Sequence, residues 1–195
     1  MIGLKVSLIV SVAPGTIATA QSEMTFIRGS NEVVLVDGYG PSARNAGAEA
    51  ATGDMLVFTD DTTELRGTLY PMRYSTTEQR WWTPRSYQCA IQSSRTESVC
   101  VGASLCSSIH SPSGSIYPFQ AVSTDLFHQV GGYCASTIGY DRYLSRRLAA
   151  LGNVPSRAPI IAYLFGEYEP RIDPPVPDGG PRVKVLSPIG HEKED

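Results

Sequence analysis

Two apolar runs that stop on carboxylates constrain this chain more than any other feature. Glu32 to Val36 is closed by Asp37-Gly38, and Met55 to Phe58 runs straight into Thr59-Asp60-Asp61-Thr62. An earlier run, Leu4 to Val12, mixes β-branched residues with leucine and ends at the turn Ala13-Pro14-Gly15. Each has the length and composition of a buried strand bounded by turn residues. Thr16 to Gly29 reads as a short, weak helix. Between the second and third runs, Ser42 is positioned to cap a helix over Ala43 to Thr52, with Pro41 just before it. Ala43, Ala46, Ala50 and Ala51 would face inward, and Gly53 would stop the helix. Strands alternating with helices predict a mostly parallel, doubly wound sheet with helices on both faces. In such sheets ligands bind beyond the carboxyl ends of the strands, where these acidic residues fall.

The remainder of the chain is less regular. Leu65 to Ser115 carries Trp81-Trp82, many Ser and Thr, and strand-like pieces at Gln88 to Ile91 and Ser98 to Val101, and reads as loops and short strands over one end of the sheet. Ser123 or Thr124 caps a helix running to Gln129, with Asp125 suited to its dipole and Gly131-Gly132 ending it. A further helix spans Asp141 to Leu151, with Leu144, Leu148 and Leu151 on one face and Gly152 as its stop. Pro159 to Leu164 reads as a last strand. One domain over residues 1–168 is therefore expected, followed by a Pro- and Gly-rich extended tail over 169–195.

A chain of 195 residues buries one core. Its net charge of -3 lacks the basic face that a phosphate backbone requires, which argues against nucleic acid. No apolar run reaches the roughly 18 residues of a membrane span, and the start reads as a strand, not a signal peptide. Cys89, Cys100, Cys106 and Cys134 show neither a C-x-x-C pair nor a neighbouring His. Buried thiols in a reducing cytoplasm are the expectation, with a Cys100–Cys106 disulfide left open.

Adjacent carboxylates at a buried strand end repel strongly unless a cation neutralises them. Oxygen ligands without His or Cys favour a hard ion, Mg²⁺ or Mn²⁺, which would bring a diphosphate as its other ligand. The competing reading makes Asp60 and Asp61 turn or capping residues.

The ordered segments Ser42-Ala43-Arg44-Asn45-Ala46-Gly47, Ala51-Thr52-Gly53-Asp54 and Val57-Phe58-Thr59-Asp60-Asp61-Thr62 resemble the family 2 glycosyltransferases of the GT-A fold, which are inverting enzymes. So do Phe127 to Gly132, then Gly139-Tyr140-Asp141, then Leu144 to Gly152. Together these cover roughly Val6 to Gly152. The resemblance implies that Val12 and Ala13 line a nucleotide, that Asp37 receives its base, and that Arg44 lies near the base or diphosphate. It further implies that Asp60 and Asp61 meet the ribose and the metal-bound diphosphate, and that Asp141 is the general base on the acceptor hydroxyl. The donor would be a UDP- or GDP-linked sugar, and the acceptor a small, lipid-linked or protein hydroxyl. Family members often supply a His to the metal. Of His110, His128 and His191, the tail residue His191 is favoured. Trp81-Trp82 can stack on a sugar or simply pack.

The chain departs from that pattern in three places. Thr62 stands where a second Asp of a D-x-D strand end would fall, and Tyr140 replaces the Glu that often precedes the base. Only Tyr39 to Pro41 separates Asp37-Gly38 from the next helix, where the family has a helix and a strand, so the first nucleotide-binding half is reduced. A catalytically inactive relative that binds a nucleotide sugar or a glycan is the alternative reading. A nucleotidyltransferase is the weaker one, because Ala13 to Ala20 has no Lys or Arg.

Overall fold

The computed structural model describes residues 5–17, 30–61, 63–67, 80–90, 120–134, 140–151, 154–165 and 180–186. Strands β1 (Val6–Val12), β2 (Glu32–Asp37) and β3 (Met55–Asp60) form its centre, with helix α1 (Pro41–Ala50) between the last two. Then come β4 (Thr63–Gly67), β5 (Arg80–Ala90), β6 (Gln120–Ser123), α2 (Thr124–Gln129), α3 (Tyr140–Ala150), β7 (Val154–Phe165) and β8 (Val183–Leu186). Among the described residues, eight strands make one sheet in the order β4-β7-β5-β6-β3-β1-β2-β8.

The three central strands are parallel, with Ile9 level with Val34 on one side and with Phe58 on the other. β1 is completely buried and correspondingly apolar apart from Ser7 and Ser11. On one face Ile9, Val34, Val36, Leu56, Phe58 and Val122 pack against Ala43 and Ala48 of α1, Leu126 and Phe127 of α2, and Leu144 and Leu148 of α3. On the other face Leu8, Val10, Leu35 and Val57 are equally removed from solvent, so the centre of the sheet is covered on both sides.

Within the described residues the expected strands β1, β2 and β3 and the helices α1, α2 and α3 form, with shifted ends. α1 starts one residue before Ser42: Gly40 is its N-cap, no side chain caps it, and Pro41 opens it with its fixed φ and missing N–H. It ends at Ala50 and not at Thr52, because the Thr52 N–H donates to the Glu32 carboxylate at 2.5 Å and leaves the helical ladder. Gly47 lets α1 settle on the sheet, since a Cβ there would lie 2.6 Å from Ile9 Cγ2 and 2.9 Å from Val36 Cγ1. β3 extends to Asp60, past the predicted end at Phe58. The Ser123 side chain does cap α2, accepting from Leu126 N–H at 3.3 Å. Leu151, expected on the apolar face of α3, lies beyond the helix end and is 45% exposed.

The sheet is mixed, and not mostly parallel. β1–β2, β1–β3 and β5–β7 pair parallel; β2–β8, β3–β6, β4–β7 and β5–β6 pair antiparallel. Antiparallel neighbours such as β3–β6 and β4–β7 do not require the helical crossover that joins β2 to β3. Trp81-Trp82 belongs to β5, an 11-residue strand, and not to a loop. Its register with β7 shifts between Pro84 and Ser86, where proline has no N–H to give the ladder. Part of the extended tail joins the sheet: Val183–Leu186 pairs with β2 as an edge strand. The Ser98–Val101 piece lies outside the described residues, as does nearly all of the expected Thr16–Gly29 helix.

Candidate functional site

β1 is the switch point of the parallel region. Its neighbours β2 and β3 lie on opposite sides, and the chain passes from one to the other through α1. The carboxyl ends of the three strands therefore open together, the position at which α/β sheets take ligands. The Gly38 N–H donates to Val12 O at 2.9 Å and the Asp61 N–H to Ser11 O at 2.9 Å, so both neighbouring chains stay tied to β1 at its last turn.

Two carboxylates from these ends reach back to the turn that follows β1. Asp37 Oδ1 accepts from the Gly15 N–H at 2.6 Å. Asp61 Oδ2 accepts from the Ala13 N–H at 3.0 Å and from the Tyr39 hydroxyl at 3.0 Å. Ala13 O in turn accepts from the Thr16 N–H at 3.0 Å and from its hydroxyl at 2.6 Å. Asp37 and Asp60 are half-buried, and Asp61 is exposed.

Of the residues expected at a donor site, Ala13 and Asp61 are joined by a hydrogen bond, Asp37 is bonded to Gly15 two residues along the same turn, and Asp60 directly precedes Asp61. Val12 is adjacent but fully buried. Arg44 is 2% exposed, on the core side of α1, with its guanidinium carbon 5.7 Å from the centroid of the Tyr133 ring. Asp141 lies in the first turn of α3. His128 is in the last turn of α2 and stacks edge-on against Phe127. His110 and His191 lie outside the described residues.

Asp60 and Asp61 are a donor set of the kind hard cations use. Mg²⁺ binds through one or two carboxylates, waters and substrate phosphates, without a dedicated protein cage. Among the described residues no group of three His, Cys, Asp or Glu side chains comes together as a closed metal site.

Residues without an assigned role in the sequence motifs also organise this end of the sheet. Tyr39 comes from the shortened connection before α1. Asn45 donates through Nδ2 to Tyr133 O at 2.8 Å and accepts through Oδ1 from the Tyr133 N–H at 2.9 Å. The Tyr133 hydroxyl donates to Gln120 Oε1 at 2.8 Å. The segment Ser42 to Gly47 was the one available signal for Asn45; a lone tyrosine in a glycine-flanked turn gave none.

The opposite end of β1 is closed by a buried carboxylate. Glu32 Oε1 accepts from Ser7 Oγ at 2.5 Å and Oε2 from Thr52 Oγ1 at 2.8 Å, while Ser7 Oγ accepts from the Gly53 N–H at 2.8 Å. Lys5 Nζ donates to Thr52 Oγ1. Burial alone would raise the Glu32 pKa, but the hydrogen bonds from Ser7 and Thr52 and the Lys5 charge outweigh it and hold the carboxyl below its ordinary value of 4.5. No helix among the described residues is long and apolar enough to cross a membrane.

No protein-family model matches the chain, and no curated protein sequence matches it.

Proposed function

We propose that this protein is a shortened GT-A glycosyltransferase that moves one sugar from a UDP- or GDP-linked donor to an acceptor hydroxyl with inversion. The observation that carries the reading is the placement of Ala13, Asp37, Asp60 and Asp61 at the carboxyl ends of three parallel strands, the end at which open α/β sheets take ligands. The order of the motifs along the chain supports it as well.

In this reading Asp37 and the Ala13 turn receive the nucleoside, and Asp60 and Asp61 hold Mg²⁺ or Mn²⁺. A bound ion would supply charge screening for the departing diphosphate. Asp141 takes the proton of the acceptor hydroxyl as its oxygen bonds to the anomeric carbon and the bond from that carbon to the diphosphate oxygen breaks. General-base help of this kind is worth about 10² to 10⁴ in rate.

A second reading, an inactive relative that only binds nucleotide sugar or glycan, is favoured by one observation. Asp37 and Asp61 already serve the fold by fastening the turn after β1. Release of UDP or GDP from a panel of sugar nucleotides separates the two. An enzyme releases one of them in the presence of Mn²⁺ and loses that turnover, but not nucleotide binding, in Asp141→Asn. Binding without release in the unmodified protein would favour the inactive relative.

A further inference from the structure

Two donors converge on a single oxygen of an exposed carboxylate. Exposed aspartates sample several rotamers, yet Asp61 Oδ2 receives both the Ala13 N–H and the Tyr39 hydroxyl at 3.0 Å. The backbone donor belongs to the β1 turn and comes with the fold. The phenol does not: it is delivered by a three-residue connection, Gly38 to Gly40, whose start is pinned by the Gly38 N–H to Val12 O and whose end meets Pro41 at the first position of α1. Tyr39 itself is half-buried, so its ring is held while its hydroxyl reaches the carboxylate.

We infer that Tyr39 is a positioning residue for a divalent-cation site at Asp60 and Asp61. Its hydroxyl and the Ala13 amide commit one carboxylate oxygen and fix the plane of the group before an ion arrives. The inference rests on the metal-dependent donor site proposed above.

The test compares the unmodified protein with Tyr39→Phe, Asp61→Ala and the double variant. Mn²⁺ binding is followed through the resonance of the free ion, nucleotide binding by titration of UDP and GDP in chelator, and folding by thermal midpoint. Tyr39→Phe is expected to weaken Mn²⁺ binding about tenfold or more, the scale of lost outer-shell hydrogen bonds. Its midpoint and its chelator-insensitive nucleotide binding should stay at the unmodified values. In the Asp61→Ala background the same substitution should have no further effect, because both act through one group. Unchanged or tighter Mn²⁺ binding in Tyr39→Phe, or an equal loss in both backgrounds, overturns the positioning role while leaving the donor site standing. Absence of Mn²⁺ binding in the unmodified protein overturns both.

Discussion

Asn45 grips the backbone of Tyr133 with both ends of its amide, donating to the carbonyl at 2.8 Å and accepting from the N–H at 2.9 Å. This pair fastens α1 to the segment after α2. It also sets the Tyr133 ring beside Phe58 (centroids 5.0 Å apart) and near the Arg44 guanidinium (5.7 Å). Asn45 is thus a structural clamp between α1 and the segment that follows α2. Asn45→Ala deletes two hydrogen bonds and is expected to cost about 2–3 kcal/mol in urea unfolding. Asn45→Asp keeps the acceptor, loses the donor and sets an anionic oxygen against the Tyr133 carbonyl, so it should be no better. A loss below about 0.5 kcal/mol for Asn45→Ala, the level of an ordinary surface change, would contradict the clamp.

Two serines of β1 on the same face should behave oppositely. Ser7 Oγ donates to Glu32 and accepts from Gly53, whereas Ser11 Oγ is buried with no hydrogen-bond partner among the described residues. Ser7→Ala leaves a buried carboxylate short of a donor and should cost about 2 kcal/mol or more. Ser11→Ala removes an unsatisfied hydroxyl and should leave stability unchanged or raise it by up to about 1 kcal/mol. Equal losses in parallel denaturation curves would count against this contrast.

The Glu32 network also sets a pH dependence. Its pKa is lowered in the folded state, so the folded protein binds fewer protons there than the unfolded chain. The stability it contributes is complete above its ordinary value of 4.5 and is lost as pH falls through the lower folded value. Urea midpoints measured from about pH 6 to about pH 3 should fall more steeply for the unmodified protein than for Glu32→Gln. Parallel profiles would remove Glu32 as a cause.

Gly53 stands in the turn between α1 and β3 because nothing larger fits. A Cβ there would lie 2.4 Å from Ser7 Oγ, 2.8 Å from Ser7 N and 2.9 Å from Lys5 O, and the last two are backbone atoms that cannot swing away. Gly53→Ala should destabilise by about 1–3 kcal/mol or more, the cost of overpacking a filled site. A neutral result would mean that the β1 start yields easily.

The strand-helix order around β1 was legible because period and punctuation agree there: Val6–Val12, Glu32–Asp37 and Met55–Asp60 are mostly apolar and bounded by turns. The Ser123 cap was legible for the same local reason. β5, β6 and β8 were not. Their pairings join residues far apart in the chain, such as Trp82 with Ala121 and Val34 with Val185, and nothing in a local window announces them. The acidic residues of the site could be read from strand ends. Tyr39 and Ser11 could not, because their significance lies in a hydrogen bond across the site and in the lack of one.

The central claim is tested most directly by calorimetric titration of UDP and of GDP into the protein with Mn²⁺, repeated with chelator. The account predicts that one of the two diphosphates binds, that chelator weakens the binding, and that Asp61→Ala weakens it in the same way. Failure of both nucleotides to bind in the presence of Mn²⁺ would contradict a donor site at the carboxyl ends of β1, β2 and β3.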